Sequence, residues 1–431
     1  MNIILVSECF NPQKSIGGVR PYNFATELAA MGHKVFCVVS ANEKMEDQTD
    51  NPNLIIVSVP DGKLGMKRSQ YETKESKNAA SSENKVSAAP DRHSAFMAWL
   101  RREAAEAWFF AAENERYHNA YQICCDIMQR EHIDIVLTSY GPISSMQVGL
   151  KLKKKYPEIP WVSDMRDPAD SMLIAPAWRL RGAFLQRKMV HRADKVIAVC
   201  DGIGDRYRAM LPENARGKVC TITNGYRESP ILCMPAEDGI LRIGYTGDGT
   251  CDMSELFRCL HDLEQQWGTA LPIEVHQAGP DGDLLEEKAQ RQHAEKYLIM
   301  HGMLSKPEAL RLQEQCDILC VLTWNTRKEQ GILTGKFFEY LRLRKPILAI
   351  ITGNLANAEL TKRIADLNIG LSYECVRGDA DFPKMKQWLE TCMEKKKANL
   401  PLIDEINEPL AQSYSYKEIA KQLEKVLCSL V

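Results

Sequence analysis

Short apolar runs rich in β-branched residues recur along the chain, at 2–7, 35–40, 53–59, 133–138, 161–164, 195–199 and 219–222. Each is too short for a helix and is bounded by polar residues or turn formers, so each predicts a strand. The stretches between them have helical spacing. After the first run, Tyr22, Phe24, Ala25, Leu28, Ala29 and Met31 recur in that way, and Gly32 sits where a helix C-cap belongs. A second series with the same rhythm begins near residue 240, with strands expected at 241–245, 273–278, 298–300, 318–322 and 346–351. Strands alternating with helices predict parallel sheets covered on both faces.

The expected fold class is therefore α/β, with two doubly wound, Rossmann-like domains facing across a cleft. Pro230, Pro235, Glu237, Asp238 and Gly239 read as the linker, which sets the domains at 1–235 and 236–405. Residues 406–431 form a terminal segment, in which Ile419, Leu423, Val426, Leu427 and Leu430 share one apolar helix face. One segment breaks the rhythm. Residues 62–92 are rich in Ser, Lys, Glu, Asn and Ala and hold little that could form a core, so they predict a long mobile loop.

Length and composition narrow the function. At 431 residues, 45% hydrophobic and 26% charged, the chain is long enough for two sizeable cores. Lys and Arg total 55 against 57 Asp and Glu, so a global basic field suited to nucleic acid is absent and no nucleic-acid partner is expected. No apolar run approaches the ~18 residues of a membrane span. The opening MNIILVSECF has no basic n-region and does not read as a signal peptide. The 14 cysteines have no metal or redox spacing, which fits reduced thiols in a cytoplasmic enzyme.

Two stretches carry candidate chemistry. Ser15-Ile16-Gly17-Gly18-Val19-Arg20 lies between the first strand and first helix, where paired glycines would let backbone N–H groups approach an anion; a tight turn is the other reading of the same glycines. Gly247-Asp248-Gly249 and Gly202-Ile203-Gly204 each lack the third glycine of a dinucleotide fingerprint, and no P-loop is present. The second candidate stretch runs from Glu329 to Leu341, beyond the strand expected at 318–322. There Thr334, Gly335 and Lys336 offer N–H donors at a helix start together with one ammonium, a set suited to a diphosphate. Glu339, one turn on, could accept hydrogen bonds from two ribose hydroxyls; its other reading is a solvated partner of Lys336.

Taken in order, several pieces resemble the group 1 (family 4) glycosyltransferases of bacterial surface polysaccharide synthesis. They are Phe10-Asn11-Pro12 with Gly17-Gly18-Val19, the run from Leu28 to Val35, Ser163-Asp164-Met165-Arg166-Asp167-Pro168, the run from Ala193 to Val199, Ile222-Thr223-Asn224-Gly225-Tyr226, and Gly335-Lys336-Phe337-Phe338-Glu339-Tyr340-Leu341 leading to Lys345-Pro346-Ile347. The resemblance implies a GT-B fold whose C-terminal helix crosses back to the first domain. It also implies transfer of a sugar from a nucleotide-diphosphate sugar to a glycan or lipid-linked acceptor, with retention and without a metal or other cofactor. The donor site it implies comprises Gly17, Gly18, Arg20, Gly247, Gly302, Met303, Leu304, Thr334, Gly335, Lys336 and Glu339, with Asp164, Arg166 and Asp167 as catalytic candidates. Two related readings stand beside it: a nucleotide-sugar epimerase and a non-catalytic partner subunit of the same fold.

The chain departs from the family pattern at identifiable positions. The second glutamate, eight residues before Glu339, is Gly331, with Glu329 two residues out of register. The usual Arg and Lys grip on the diphosphate is missing from 244–254, and the usual N-domain histidine is replaced at Ser163-Asp164. Two further stretches mix aromatic and basic residues: Phe96, Trp99, Arg101, Arg102, Trp108, Phe109 and Phe110, and then 178–192 with Arg179, Arg181, Arg187, Lys188 and Arg192. Either could be ordinary helix core, or could place the protein peripherally on an anionic inner membrane.

Overall fold

A computed structural model describes residues 1–41, 50–60, 62, 92–141, 143–171, 176–227, 236–247 and 252–431. The loop expected at 62–92 lies outside the described residues except for Gly62 and Arg92, the latter opening the helix Arg92–Arg130. The linker prolines Pro230 and Pro235, and Asp248 and Gly249, also lie outside them.

The chain divides into two compact units. The first comprises Met1–Val199, Gly204–Ile222 and Ala420–Val431; the second comprises Cys200–Ile203 and Thr223–Ile419. In the first, seven parallel strands stand in the order β3-β2-β1-β4-β5-β6-β7. They are β1 (Asn2–Ser7), β2 (Lys34–Ser40), β3 (Leu54–Val59), β4 (Ile135–Ser139), β5 (Trp161–Met165), β6 (Lys195–Ala198) and β7 (Val219–Thr221). Ile3, Ile4 and Leu5 have no solvent exposure, as expected of a strand buried on both faces. The terminal residues Ala420–Val431 belong to this unit: Leu423 and Leu427 are buried, and Glu424 Oε1 lies 2.8 Å from His33 Nε2.

The second unit repeats the plan with six parallel strands in the order β10-β9-β8-β11-β12-β13. These are β8 (Leu241–Thr246), β9 (Ile273–Ala278), β10 (Leu298–Met300), β11 (Ile318–Trp324), β12 (Ile347–Thr352) and β13 (Gly370–Glu374). Leu241, Ile243, Phe257, Ile318, Leu348 and Leu389 are among the residues of its core. The strand order reverses between β8 and β11, which pair in register Ile318 with Ile243 and Leu319 with Gly244. Crevices at such reversals, outside the carboxyl ends of the strands, are where doubly wound sheets bind ligands.

One expectation is corrected at the amino end. The helix after β1 runs Ile16–Ala30, so Gly17, Gly18 and Arg20 lie inside its first turns and not in a loop ahead of it. Ser15 is its N-cap, and its hydroxyl accepts from the Gly17 N–H at 3.0 Å. Glycine at 18 is a packing requirement, because a Cβ there would lie 2.7 Å from the Asn11 backbone.

Candidate functional site

In the second unit the residues at the reversal point converge from three elements. The helix Gly335–Arg342 follows β11, and Phe337, Phe338, Tyr340 and Leu341 bury its inner face. Burial of such side chains stabilises by roughly 1.5–3 kcal/mol each, which anchors the helix and aims its start at the strand ends. Thr334 is the N-cap, but its side chain makes no capping bond, and its buried hydroxyl has no partner among the described residues. The first N–H groups of a helix have no intrahelical acceptor, so this end carries partial positive charge. Lys336 adds an ammonium, whose Nζ lies 3.5 Å from Glu339 Oε2.

Glu339 is about one quarter exposed, with 28% of its side-chain surface accessible. Its other oxygen, Oε1, accepts from Gln313 Nε2 at 2.9 Å. The same Gln313 amide donates to the Thr246 hydroxyl at 2.8 Å, at the end of β8. The Tyr340 hydroxyl lies 3.0 Å from that hydroxyl and 3.2 Å from the Thr246 backbone nitrogen. Burial raises the Tyr340 phenol well above its ordinary value, so it stays neutral.

The remaining loops of this edge are tied together through backbone. Gly247 donates to the Ala278 carbonyl and accepts from the Gln277 amide at 3.2 Å. Gly279 donates to the Gly302 carbonyl at 2.9 Å. Gly302 holds φ +65°, a left-handed conformation that suits glycine. Met303 beside it is 75% exposed, while Leu304 is half-buried.

Gly331 now has a structural reason. Its φ is +72°, and a Cβ would lie 2.7 Å from both Glu359 Oε2 and the Gly202 nitrogen. Glu359 Oε2 accepts from the backbone of Asp201 at 2.8 Å and Gly202 at 3.3 Å, filling the space a side chain would need. Glu329 is engaged elsewhere, accepting from Trp324 Nε1 at 2.9 Å.

In the first unit, Arg20 and Asp164 are not arranged as ligand-binding groups. Arg20 donates to both carboxylate oxygens of Asp164 at 2.7–3.0 Å, and to the Ile222 carbonyl at 2.8 Å. Ser139 adds a bond to Asp164 at 2.9 Å. Both charged side chains are buried, so Arg20 as a donor-binding residue and Asp164 as a catalytic one are corrected to an internal ion pair. Arg166 serves the backbone: its guanidinium donates to the Tyr140 carbonyl at 2.6 Å and to the carbonyls of Gly17 and Gly141. Arg166 and Gly17 are thus parts of one scaffold holding the loops after β1 and β4. Asp167 is the exposed member of the three catalytic candidates.

Residues 17–225 match the family model described as a glycosyl transferase 4-like domain. The fold is of the GT-B type seen in solved glycosyltransferases. Among solved structures, the apo form of the lipopolysaccharide outer core galactosyltransferase WaaB aligns with TM-score 0.58 at 12% identity, covering 100% of both chains. A UDP-forming α,α-trehalose-phosphate synthase from Burkholderia xenovorans aligns with TM-score 0.57 at 12% identity over 99% of each chain. The catalytic domain of starch synthase IV from Arabidopsis thaliana, bound to ADP and acarbose, gives 0.56 at 10% identity, covering 100% of this chain and 99% of its own. At these identities the likeness is one of fold. No curated protein sequence matches the chain.

The second unit therefore brings Thr334, Gly335, Lys336 and Glu339 together at one end of a single sheet, with Gly247 at the neighbouring strand end. Gln313, Thr246 and Tyr340 complete the cluster and were not singled out from sequence. The signal was available for Gln313, a polar residue standing three and four positions after Leu310 and Ala309 on the packed side of its helix.

Proposed function

We propose that the second unit holds a nucleoside-diphosphate sugar and that the enzyme transfers its hexosyl group, with retention and without a metal, to a glycan or lipid-linked acceptor in bacterial surface polysaccharide synthesis. The observation that carries the reading is the convergence of an uncapped helix start, Lys336 and Glu339 at the strand-order reversal between β8 and β11. The helix end and the ammonium supply positive charge where a departing diphosphate accumulates negative charge, so the leaving group is stabilised without an ion. Glu339 supplies acceptors for the ribose. Holding the donor fixed contributes further, because orienting reactants removes an entropic barrier. Gly302, Met303 and Leu304 would border the base. The solved neighbours described as UDP-forming and as ADP-bound support a donor of this class. A panel of UDP-, GDP- and ADP-sugars tests the reading: one donor should raise the melting temperature and release its nucleoside diphosphate when acceptor is supplied. No thermal shift and no release with any donor would contradict it.

A peripheral site on the cytoplasmic face of an anionic membrane belongs to the same reading. The helix Pro176–Arg192 contains Arg179, Arg181, Arg187, Lys188 and Arg192 and no acidic residue. Leu180 is 78% and Phe184 58% exposed, one turn apart, and Lys188 Nζ lies 4.3 Å from the Phe184 ring centroid. Exposed apolar side chains among cations suit an interface of acyl chains and anionic headgroups. Of the other aromatic-basic stretch, Trp108 is 37% exposed, and the side chains of Phe96, Trp99, Arg101, Arg102, Phe109 and Phe110 lie outside the described residues. No helix among the described residues is long and apolar enough to cross a membrane.

A further inference from the structure

We propose that Gln313 is a positioning residue that presents the Glu339 carboxylate to the donor's ribose and thereby sets selectivity for ribonucleotides. The inference rests on the donor site described above and extends it to a residue outside the ligand's reach. Gln313 has no solvent exposure, so it acts only through its partners. Its amide nitrogen bonds the Glu339 carboxylate at 2.9 Å and the Thr246 hydroxyl at 2.8 Å.

Three elements therefore meet at one amide. Thr246 is fixed in turn by the Tyr340 hydroxyl, one residue after Glu339 on the same helix. The turn carrying Gln313 is also held: the buried Lys345 ammonium donates to the carbonyls of Gln313, Glu314 and Cys316. The other partner of Glu339 among the described residues, Lys336, lies 3.5 Å away in a half-buried ion pair three residues earlier. Partly solvated pairs of this kind constrain a carboxylate weakly. The buried amide is the stronger restraint, and it occupies one lone pair on one oxygen, leaving the rest of the carboxylate to accept from hydroxyls.

A glutamate side chain has three rotatable bonds, and unheld it would lose that freedom on binding. Holding it beforehand converts the loss into affinity. Discrimination follows as well, because a site arranged to accept from a hydroxyl penalises an analogue that lacks it. The 2′-hydroxyl is the group whose removal reads this out.

The test compares the tightest binder among UDP, GDP and ADP with its 2′-deoxy counterpart, by titration calorimetry on the full chain. Wild type should prefer the ribonucleotide by about tenfold or more, since a bond to a charged group accounts for at least that factor. Gln313→Met keeps length and volume but has no N–H, and it should bring the preference down several-fold. Glu339→Ala should abolish the preference, and adding Gln313→Met to Glu339→Ala should change it no further. A ratio unchanged in Gln313→Met, whatever its melting temperature, overturns the inference while the donor site stands. A ratio near one in wild type, or one unchanged in Glu339→Ala, shows instead that the donor site itself is misassigned. Should Gln313→Met fail to fold, Thr246→Val removes the amide's second partner; a lowered ratio then supports the inference, and an unchanged one overturns it.

Discussion

Arg20 and Asp164 form a buried two-pronged ion pair across 144 residues of sequence, joining the first helix to the end of β5. Its side chains are 1% and 0% exposed, so neither charge is screened by water. Removing one partner of such a pair leaves an uncompensated charge and typically costs about 3–5 kcal/mol. Arg20→Ala and Asp164→Ala should each lower stability by that amount in urea titration. The double variant should cost less than the two effects added. A loss of activity with unchanged midpoint would return these residues to the reacting site.

Placing at Gly331 the glutamate of the resembled family's pattern should harm the protein. The left-handed φ of +72° and the crowding by Glu359 and Gly202 make a side chain strained, at roughly 1–3 kcal/mol. The pH dependence has a definite sign. Burial already holds the Glu359 carboxyl above its ordinary 4.5, and a second carboxylate would raise it further. A carboxyl raised in the folded state favours folding below pH 4.5 and loses that contribution as pH climbs through its folded value. The deficit of Gly331→Glu should therefore grow from pH 4 to pH 8. A variant of wild-type melting temperature at pH 8 would remove this explanation of the glycine.

The strands were legible because parallel strands buried on both faces are continuous apolar runs, and twelve of them appear in sequence within a residue or two. β13, Gly370–Glu374, was not found. It is an edge strand with apolar side chains only at Leu371 and Tyr373, and its pairing with β12 defines it. The site divides in the same way. Lys336 and Glu339 are neighbours on one helix, so their spacing was readable. The partners of Arg20, Asp164 and Glu339 lie far away in sequence, and only tertiary packing brings them together. The helix start at Ile16 was missed because paired glycines read as a loop, although Ser15 was there to cap it.

Lys336 should matter for the diphosphate and chelation should not. Lys336→Ala should weaken nucleoside diphosphate binding by about tenfold, the scale of one bond between charged groups, while the nucleoside without phosphate binds as before. Turnover of the nucleotide sugar should survive EDTA. Activity abolished by EDTA and restored by magnesium or manganese would show that the positive charge comes from an ion.

Vesicle sedimentation tests the helix Pro176–Arg192. Binding to vesicles with anionic phosphatidylglycerol should exceed binding to phosphatidylcholine and weaken with salt, as the Debye length shortens to about 8 Å at 0.15 M. Replacing Leu180 and Phe184 by Ser should reduce binding by about tenfold or more, given ~1.5–3 kcal/mol for each buried apolar side chain. Equal lack of binding to both vesicle types would exclude the surface.

The central claim is that Glu339 belongs to a nucleotide site and is more than a structural partner of Gln313 and Lys336. Nucleoside diphosphate titration of wild type, Glu339→Ala and the control Glu329→Ala, each with its melting temperature, tests it most directly. A carboxylate accepting from the ribose contributes roughly 1.5–3 kcal/mol for each bond, so Glu339→Ala should bind at least about tenfold more weakly. Its melting temperature should fall only modestly, because the buried Gln313 amide keeps the Thr246 hydroxyl as an acceptor, and Glu329→Ala should bind normally because Glu329 is engaged by Trp324. Wild-type affinity in Glu339→Ala, or a collapse of its stability in place of its affinity, would contradict the account.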